Sequence, residues 1–582
     1  MPEDEEKIQR NWLVSVPVVI AFIITVFGYN YIVKPDTTGL IIITSVFGFL
    51  YIFAFLLLSY KGEGSMLYGL HSISSRLPSV KKPDGHVHFR TKMIWLVLIL
   101  TLYFVLTNVM IYGLDQQKTV DLFESYRAIM AGAQGSLMHL GIGPIVTGSI
   151  IMQLFVGAKI IKLDLKKDED KAVYQSVQKL LVVIMIVVEA VPQVYGYLTP
   201  SKTFEGSMNA LSPGNGANLA KFMIVLQLCF GSYLVFLMDE VVSKWGIGSG
   251  ISLFIAAGVA ESIFTGTLNW MPASAGPLSY SNPPSGTLPK TFYYFTTLSS
   301  QQMTSGGYER ILIMPPNPMI ALASTIGIFF FVTYAESCRI ELPLAHEGAR
   351  GARGRYPIRL IYASNIPVIL IAAVLANVSM FSMLFWSNDF FMNLPIVGRE
   401  GAYSISPWIG YYSGTDTRPA GGLAWYLHSI NGIGDWLLPF FSASYITPGK
   451  ALWQVVIKIF VFLGVMIIGS ILFAKFWIET TNMGSEAVAE QIQDSGMQIP
   501  GFRRDPRVLK RVLDRYIPVV TVLSGAIVGG LAATADLIGT VGSTSGTGVL
   551  LAVGIMIQTY EAIGREQMME MHPMLRGFFG GE

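Results

Sequence analysis

The sequence contains about twelve apolar segments that are each long enough to cross a lipid bilayer. A spanning helix needs about 20 mostly apolar residues because the hydrocarbon core of a bilayer is about 30 Å thick. The backbone of such a segment finds no water in the bilayer and therefore folds as a helix. This pattern predicts an all-α membrane protein, with spans near 13–33, 39–59, 93–113, 142–162, 177–198, 219–238, 249–267, 315–335, 361–385, 453–477, 516–535 and 545–563.

The composition points to the same class of protein. Of the 582 residues, 52% are hydrophobic and only 13% are charged, whereas soluble domains carry about 25% charged residues. The net charge of +2 gives no indication of a nucleic-acid partner. Within the apolar segments we recognise no paired carboxylates, nucleophile triad or metal-ligand spacing, so we expect no enzyme activity, no cofactor and no metal site.

Lysine and arginine concentrate in alternate loops between these segments, which predicts that those loops face the cytoplasm. The same count places both termini in the cytoplasm and the connections 268–314 and 386–450 outside. Two cytoplasmic loops, Glu336 to Leu360 and Gly501 to Tyr516, are especially basic. They are either simple topology determinants or docking surfaces for phosphate-rich RNA or an acidic protein, since guanidinium groups bind phosphate in a bidentate manner. The residues that would dock are Arg350, Arg353, Arg355, Arg503 and Arg504.

One apolar segment, GIGPIVTGSIIMQLFVGAKII, begins with helix-breaking residues. Irregular backbone at membrane depth is tolerated only where protein or a water-filled cavity surrounds it. Gly141, Gly143 and Pro144 therefore predict a break inside the protein. It would belong either to a kinked packing helix or to a junction with a segment that enters the membrane region.

A second glycine-rich stretch, Gly246 to Ser252, precedes an apolar segment and could suggest a phosphate cradle. It lacks the closing Gly-Lys-Ser/Thr of a nucleotide-binding loop and lies at a membrane boundary. We interpret it as a tight cytoplasmic turn.

Three polar residues, Thr147, Glu189 and Asn377, lie inside apolar segments. A charged side chain at mid-membrane costs about 2.5–3.5 kcal/mol on insertion scales, so such groups pair with one another or face a cavity. They are either ordinary interhelical hydrogen-bonding residues or parts of a functional polar cluster. Gln153 allows the same two interpretations, and we favour the first for it.

Four motifs, in sequence order, resemble those of the SecY family of protein-conducting channels, and their residues look like those of its archaeal branch. They are GIGPIVTGSIIMQL, DEVVSKWGIGSGISLFIAAG, ARGARGRYPIRLIYASNIPVIL and GTGVLLAVGIMIQTYEA. The resemblance runs from Met66 to the C-terminus. Residues 1–65 do not match and read as an added hairpin of two spans, although Met66 could also be the start.

The resemblance implies a ten-helix SecY-type channel in two pseudo-symmetric halves, with the N-terminal hairpin added. The implied division is 1–65 for the extra hairpin and 66–92 for a cytoplasmic amphipathic segment that includes Leu67 to Leu77. The first half, 93–314, would hold the plug and lateral-gate helices. The second half, 315–582, would hold the cytoplasmic docking loops.

The resemblance also implies roles for particular residues. A short half-helix, roughly Ser125 to Leu140, would plug the pore from outside and hinge at Gly141, Gly143 and Pro144. Thr147, Glu189 and Asn377 would form a polar cluster at the lateral gate, through which apolar segments leave for lipid. The pore would close on a ring of apolar side chains from Ile142, Val146, Ile251, Ile255, Ile369 and Leu551.

The function implied is that of the central subunit of a protein translocase in the cytoplasmic (plasma) membrane. The implied partners are SecE-type and SecG/Sec-beta-type small membrane subunits in a heterotrimer, the ribosome, the signal recognition particle receptor system, nascent secretory and membrane proteins, and the lipid bilayer. Composition and charge alone leave two alternatives open: a small-solute secondary transporter, and a pore-less insertion or scaffold protein. An apolar constriction argues against a transporter, which would carry a polar binding site at the midplane.

Overall fold

A computed structural model describes most of the protein beyond residue 76. The described residues are 77–83, 85, 87–115, 130–157, 161, 163, 167–196, 198–274, 276–346, 353–361, 365–387, 406–412, 418–430, 432–441, 446, 449–481, 483–494, 497–498, 506–542 and 544–571. The predicted hairpin 1–65 and nearly all of the predicted amphipathic segment Leu67 to Leu77 lie outside these residues.

Helices dominate the described residues. The N-terminal part contains α1 (Phe89–Asn108), α2 (Gly143–Gly157), α3 (Asp168–Gly196), α4 (Lys202–Leu211), α5 (Gly216–Trp245), α6 (Gly250–Leu268), α7 (Thr287–Thr297) and α8 (Ser300–Gln302), followed by a π-helical turn (Met303–Gly307) and α9 (Tyr308–Leu312). The C-terminal part contains α10 (Met319–Ser337), α11 (Ile366–Ser387), α12 (Ser406–Ile409), α13 (Leu423–Leu427), α14 (Ile433–Trp436), α15 (Leu438–Phe441), α16 (Leu452–Thr480), α17 (Ser485–Asp494), α18 (Pro506–Ile538) and α19 (Gly546–Met571).

Nine helices among the described residues are long and apolar enough to cross a membrane, and α2 is a shorter apolar helix. Each of the ten spans predicted beyond residue 92 coincides with one of these helices. The prediction of an all-α, ten-helix membrane fold is therefore confirmed for the described residues. The helix α2 is shorter than the predicted span 142–162 and is described from Gly143 to Gly157.

The predicted docking loop between α10 and α11 contains strands, which the sequence analysis did not predict. Strand β1 (Arg339–His346) pairs antiparallel with β2 (Arg353–Arg359). Strand β5 (Met497–Gln498) adds to the other edge of β1, and β3 (Tyr411–Tyr412) pairs with β4 (Pro419–Gly421). The alternation of apolar and polar residues in RIELPLAH is typical of a strand and could have revealed the hairpin.

The largest apolar core lies where helices from both halves meet. It joins buried residues of α1, α2, α3, α5, α6, α10, α11, α16, α18 and α19. Helix α2 packs against α11 and α16, and α6 packs against α19, so the two halves contact each other on both sides of this core. Five of the six predicted ring residues belong to this cluster, and the sixth packs against it.

Candidate functional site

The segment that leads into α2 folds as a series of tight turns. Residues 131–140 form turns and bends, so the half-helix predicted for Ser125 to Leu140 is not found over that range; residues 125–129 lie outside the described residues. Ala131, Gly135 and Gly141 adopt positive φ angles of 49°, 68° and 55°. Met138 and Ser136 have no exposed surface at all. The turns therefore lie inside the protein and not against lipid.

Gly141 is required by the geometry at the end of this segment. A Cβ atom on Gly141 would collide with the carbonyl oxygen of Met130 and approach the Gly132 nitrogen to 2.9 Å. The backbone N–H of Ile142 donates to that Met130 carbonyl over 2.8 Å. Helix α2 begins at Gly143, and Pro144 lies in its first turn, where a missing N–H costs nothing. The break in the backbone thus lies at Gly141, and Gly143 and Pro144 begin the helix that follows it.

Helices α1, α5 and α6 hold the turn segment in place. Leu137 N–H donates to the Val109 carbonyl over 2.8 Å, and the Tyr103 hydroxyl donates to the Ala131 carbonyl over 3.1 Å. Tyr103 in turn stacks on Phe254 of α6, with ring centroids 5.0 Å apart. A Cβ atom on Gly231 of α5 would collide with the Leu137 carbonyl oxygen. The segment therefore packs against α5 at Gly231, where the absence of a side chain leaves room for the segment's backbone.

The six predicted ring residues come together in the central core. Ile142, Val146, Ile255, Ile369 and Leu551 are buried in one apolar cluster, and Ile251 packs against it half-buried. They lie on or next to α2, α6, α11 and α19, so both halves of the protein take part. Val146 N–H donates to the Ile142 carbonyl over 3.0 Å, which places these two side chains on one helix face. All six side chains thus lie in or against the apolar cluster that helices of both parts of the chain share.

The three predicted polar residues form one hydrogen-bonded cluster across three helices. Asn377 Nδ2 of α11 donates to Thr147 Oγ1 of α2 over 3.2 Å. Thr147 Oγ1 also lies 2.9 Å from Glu189 Oε1 of α3 and 2.9 Å from the Gly143 carbonyl. The buried Glu189 is thus hydrogen-bonded inside the membrane region, as an intramembrane carboxyl requires.

A small cavity connects this cluster to the turn segment. Its volume is about 20 Å³, which is enough for a single water molecule. Its walls include Met130, His139, Gly143, Glu189, Gln193 and Asn377. Gln193, which the sequence analysis did not single out, reaches from α3 to Met380 Sδ of α11 over 3.7 Å. A spacing of four residues from Glu189 on the same helix could have indicated it.

Gln153 is buried on α2, and its Oε1 atom has no hydrogen-bond partner among the described residues. Among the described residues, Gln153 forms no hydrogen bond with Thr147, Glu189 or Asn377. Its role therefore stays a prediction.

The glycine-rich stretch before α6 is a tight turn, as predicted, with Gly248 at a φ of 82°. Asp239 Oδ1 of α5 accepts the backbone N–H of Ile251 over 2.9 Å. A Cβ atom on Gly250 would approach the Asp239 Cα atom to 2.6 Å. Because a carboxylate of the protein itself occupies the helix N-terminus, a phosphate would meet negative charge there.

On the side of the basic loops, strand β2 carries Arg353 and Arg355, whereas Arg350, Arg503 and Arg504 lie outside the described residues. Arg359, at the end of β2, forms an ion pair with Glu561 of α19. Asn365 Nδ2 lies 3.3 Å from Glu336 Oε1 of α10. Neither Glu561 nor Glu336 was predicted from the sequence. Each is an acidic residue at the end of an apolar span, and this position could have indicated a partner in the basic loop.

Comparisons with known proteins agree with this arrangement. A sequence model described as SecY matches residues 136–560, and one described as the plug domain of Sec61p matches residues 102–135. The plug match overlaps the predicted plug and begins earlier, on α1. Together the two matches cover the turn segment, the ring and the polar cluster.

Curated relatives match over most of their length. The protein translocase subunit SecY of Archaeoglobus fulgidus is 43% identical over 522 residues, which is 89% of this chain and 99% of that protein. The corresponding subunit of Halobacterium salinarum is 43% identical, covering 88% of this chain and 98% of that protein.

Solved structures match in fold. A structure described as a protein-conducting channel is 36% identical, with a TM-score of 0.65 over 86% of this chain and 98% of that one. Sec61 in a canine ribosome-channel complex from the endoplasmic reticulum has a TM-score of 0.63 at 36% identity, with the same coverage. The motifs, the ten-helix fold and these matches agree, and the chain belongs to the SecY family.

Proposed function

We infer that this protein is the pore-forming subunit of a protein translocase, which moves unfolded secretory polypeptides across a membrane and releases transmembrane segments sideways into lipid. The observation that carries this proposal is the convergence of the apolar ring and the seated turn segment at the centre of a ten-helix bundle. In this proposal the membrane is the cytoplasmic (plasma) membrane and both termini face the cytoplasm.

The ring and the turn segment act as two seals in series. An apolar constriction excludes water, and with it ions, by dewetting. Flexible side chains from four helices deform around a passing polypeptide without recognising its sequence. The turn segment 130–141 sits directly before the ring residue Ile142, so its displacement through the Gly141 hinge opens the path on the outer side.

The seam between α2 and α11 acts as the lateral gate. The Thr147–Asn377 hydrogen bond joins the two sides of this seam. Interhelical hydrogen bonds in membranes average about 0.6 kcal/mol, which is weak enough for an entering apolar signal segment to displace. The hydrogen bonds of the polar cluster therefore hold the seam closed, but weakly enough for it to open.

A SecE-type single-span subunit fits the groove between α6, α10 and α19. This groove has a volume of about 540 Å³ and exposes almost only apolar surface, with Phe264, Phe329 and Met556 among its walls. A groove lined in this way and running between membrane helices suits an apolar helix. A SecG/Sec-beta-type subunit completes the proposed heterotrimer.

The ribosome and the signal recognition particle receptor system are proposed to dock on the cytoplasmic loops. Strand β2 contains Arg353 and Arg355, and it is anchored to α19 through the Arg359–Glu561 ion pair. Sec61 was found in a ribosome-channel complex, and a basic hairpin of this kind suits ribosomal RNA phosphates.

A crosslinking experiment tests the proposed function. A photoreactive amino acid replaces Ile369 of the ring in the full-length protein, and ribosomes that carry a nascent polypeptide with a signal segment are added to native membranes. We expect crosslinks from position 369 to the nascent polypeptide. The matched control places the same group at Phe460 of α16, whose side chain is 70% exposed on the outside of the bundle. Equal crosslinking at both positions, or none at either, would argue against a central polypeptide path.

Isolation of the protein from its native membrane in mild detergent tests the partners. Recovery of a small single-span subunit together with ribosomal proteins supports the proposed assembly. A solitary protein that carries solute flux in vesicles would instead support the secondary transporter. Charge reversal of Arg353 and Arg355 to Glu should release the ribosome, whereas Arg418→Glu on the outer side should not.

A further inference from the structure

The outer connection between α6 and α10 contains a helix whose exposed face is apolar. On α7, Leu288, Phe292 and Phe295 are 44%, 60% and 59% exposed. Their spacing of four and three residues puts them on one side of the helix. Thr287, Lys290 and Tyr294 are buried on the opposite side. The only charged side chain of α7 is therefore turned inward, which is the reverse of what contact with water favours.

The N-terminal end of α7 is fixed at the outer end of the span α6. The Gly286 N–H donates to the Asn269 carbonyl over 2.9 Å, and the Thr287 hydroxyl donates to the Gly266 carbonyl over 3.3 Å. A Cβ atom on Gly286 would lie 2.5 Å from the Asn269 nitrogen, so the two segments are in direct contact. This end of α7 lies at the level where α6 leaves the membrane.

The middle of α7 is fixed at the outer end of a second span, α10. Lys290 Nζ donates to the carbonyls of Met314 and Pro316 over 2.8 and 2.7 Å, just before α10 begins. Asn317 Nδ2 also donates to the Ser285 carbonyl over 2.7 Å. Burial, aided by the charge of Arg310, lowers the pKa of Lys290 to about 8. Because α7 is tied to the outer end of α6 and to the residues just before α10, it lies close to the membrane surface.

Neighbouring side chains extend the apolar face. Trp270 and Met271, directly beyond α6, are 61% and 72% exposed. The Trp270 ring contacts Phe292 edge to face, with centroids 6.0 Å apart. Tryptophan is enriched at membrane–water interfaces, and helices that lie in the interface carry Trp, Phe and Leu on their apolar face. The face thus combines interfacial residue types with an interfacial position.

We propose that α7 is an interfacial anchor, which lies in the headgroup region of the outer leaflet with Leu288, Phe292 and Phe295 inserted into lipid. The occupant of the apolar face is the lipid surface itself, because α7 is tied to the outer ends of α6 and α10 and its exposed face, with Trp270 beside it, carries the residue types of interfacial helices. An amphipathic helix in this position binds by burying apolar area at the acyl–headgroup boundary. The anchor holds the outer connection 268–314 against the membrane, so that it leaves the outer mouth of the channel clear.

Site-directed fluorescence tests this proposal on the full-length protein. Cys229 and Cys338 are replaced by alanine, and a single cysteine replaces either Phe295 or Thr297. Both positions are exposed, but two residues of α-helix rotate Thr297 about 160° away from Phe295. An environment-sensitive dye is attached, and the protein is reconstituted into phosphatidylcholine vesicles containing phosphatidylglycerol and a nitroxide-labelled lipid.

With the nitroxide near the glycerol level, we expect severalfold stronger quenching at position 295 than at position 297. Aqueous iodide should show the opposite preference. Strong iodide quenching at 295 with no lipid quenching would overturn the proposal in favour of a solvated helix. Shielding of 295 from both quenchers would overturn it in favour of a protein occupant. A second cysteine pair, Leu288→Cys against Thr297→Cys, repeats the test in case the Phe295 variant fails to fold.

Discussion

Asn377 and Thr147 are 230 positions apart in the sequence, yet Asn377 Nδ2 donates to Thr147 Oγ1 over 3.2 Å at the seam between α11 and α2. Thr147 Oγ1 in turn donates to Glu189 Oε1 of α3 over 2.9 Å. These hydrogen bonds join the two halves of the bundle where the surrounding side chains are apolar. Substitutions of these residues should therefore change how readily the two halves separate.

Replacing Asn377 by leucine should favour opening of the seam. Loss of one interhelical hydrogen bond costs about 0.6 kcal/mol, which shifts the ratio of open to closed channels about threefold. The measurement is translocation of a precursor with a weakened signal segment, which should increase. Ser149→Ala is the matched control, because Ser149 bonds to Gln178 within the first half over 2.7 Å. An equal increase in both variants would show that the seam bond has no specific role.

Replacing Ile369 by asparagine should relax the central seal. A buried polar group without a partner costs about 1–3 kcal/mol, so water enters to satisfy it and ions follow. Closed-state conductance of the reconstituted channel should therefore rise. Ile369→Leu keeps the site apolar and should leave the conductance low. Unchanged conductance in the asparagine variant would remove Ile369 from the ring.

Replacing Gly231 by alanine should displace the turn segment 130–141. The new Cβ atom would collide with the Leu137 carbonyl oxygen, and overpacking of this kind costs about 1–3 kcal/mol. We expect a larger ion leak and faster protease access to the segment from the outer side. Gly327→Ala on α10 is the control, because a Cβ atom there meets nothing within 4 Å. A tight channel in the Gly231 variant would show that the segment does not depend on this contact.

His428 should make the outer part of the protein sensitive to acid. Burial, followed by the charges of Lys458 and Arg418, lowers the pKa of His428 from 6.5 to about 3. Between these values the unfolded protein binds a proton that the folded protein does not. Stability is therefore retained above pH 6.5 and is lost as the pH falls toward 3, by up to about 5 kcal/mol.

Thermal unfolding followed by tryptophan fluorescence, from pH 7 downward, measures this loss. Trp425 lies 4.9 Å from the Lys458 ammonium and reports on the same region. His428→Gln should flatten the pH dependence, whereas His88→Gln, which removes a largely exposed imidazole, should not. Parallel pH curves for the wild type and the His428 variant would contradict the prediction.

Several outcomes could be read from the sequence because they depend on local composition. The length of each apolar segment predicts a spanning helix, since the bilayer imposes both the length and the hydrogen bonding. The break before α2 was visible because glycine readily adopts the positive φ angle found at Gly141 and proline suits the first turn of a helix. The positions of Thr147, Glu189 and Asn377 stood out because polar groups are rare in apolar segments.

Other features required the tertiary structure, because they depend on contacts between distant segments. No local pattern shows that Asn377 reaches Thr147, that Gly231 makes room for the Leu137 carbonyl, or that Asp239 caps α6. The burial of Lys290 against two carbonyls near α10 is of the same kind, and together with the burial of Thr287 and Tyr294 it leaves the opposite face of α7 exposed. The sequence by itself determined the ten apolar helices described beyond residue 88 and the break before α2. The tertiary structure decided which side chains meet at the centre and at the seam, because packing selects partners that local propensity does not encode.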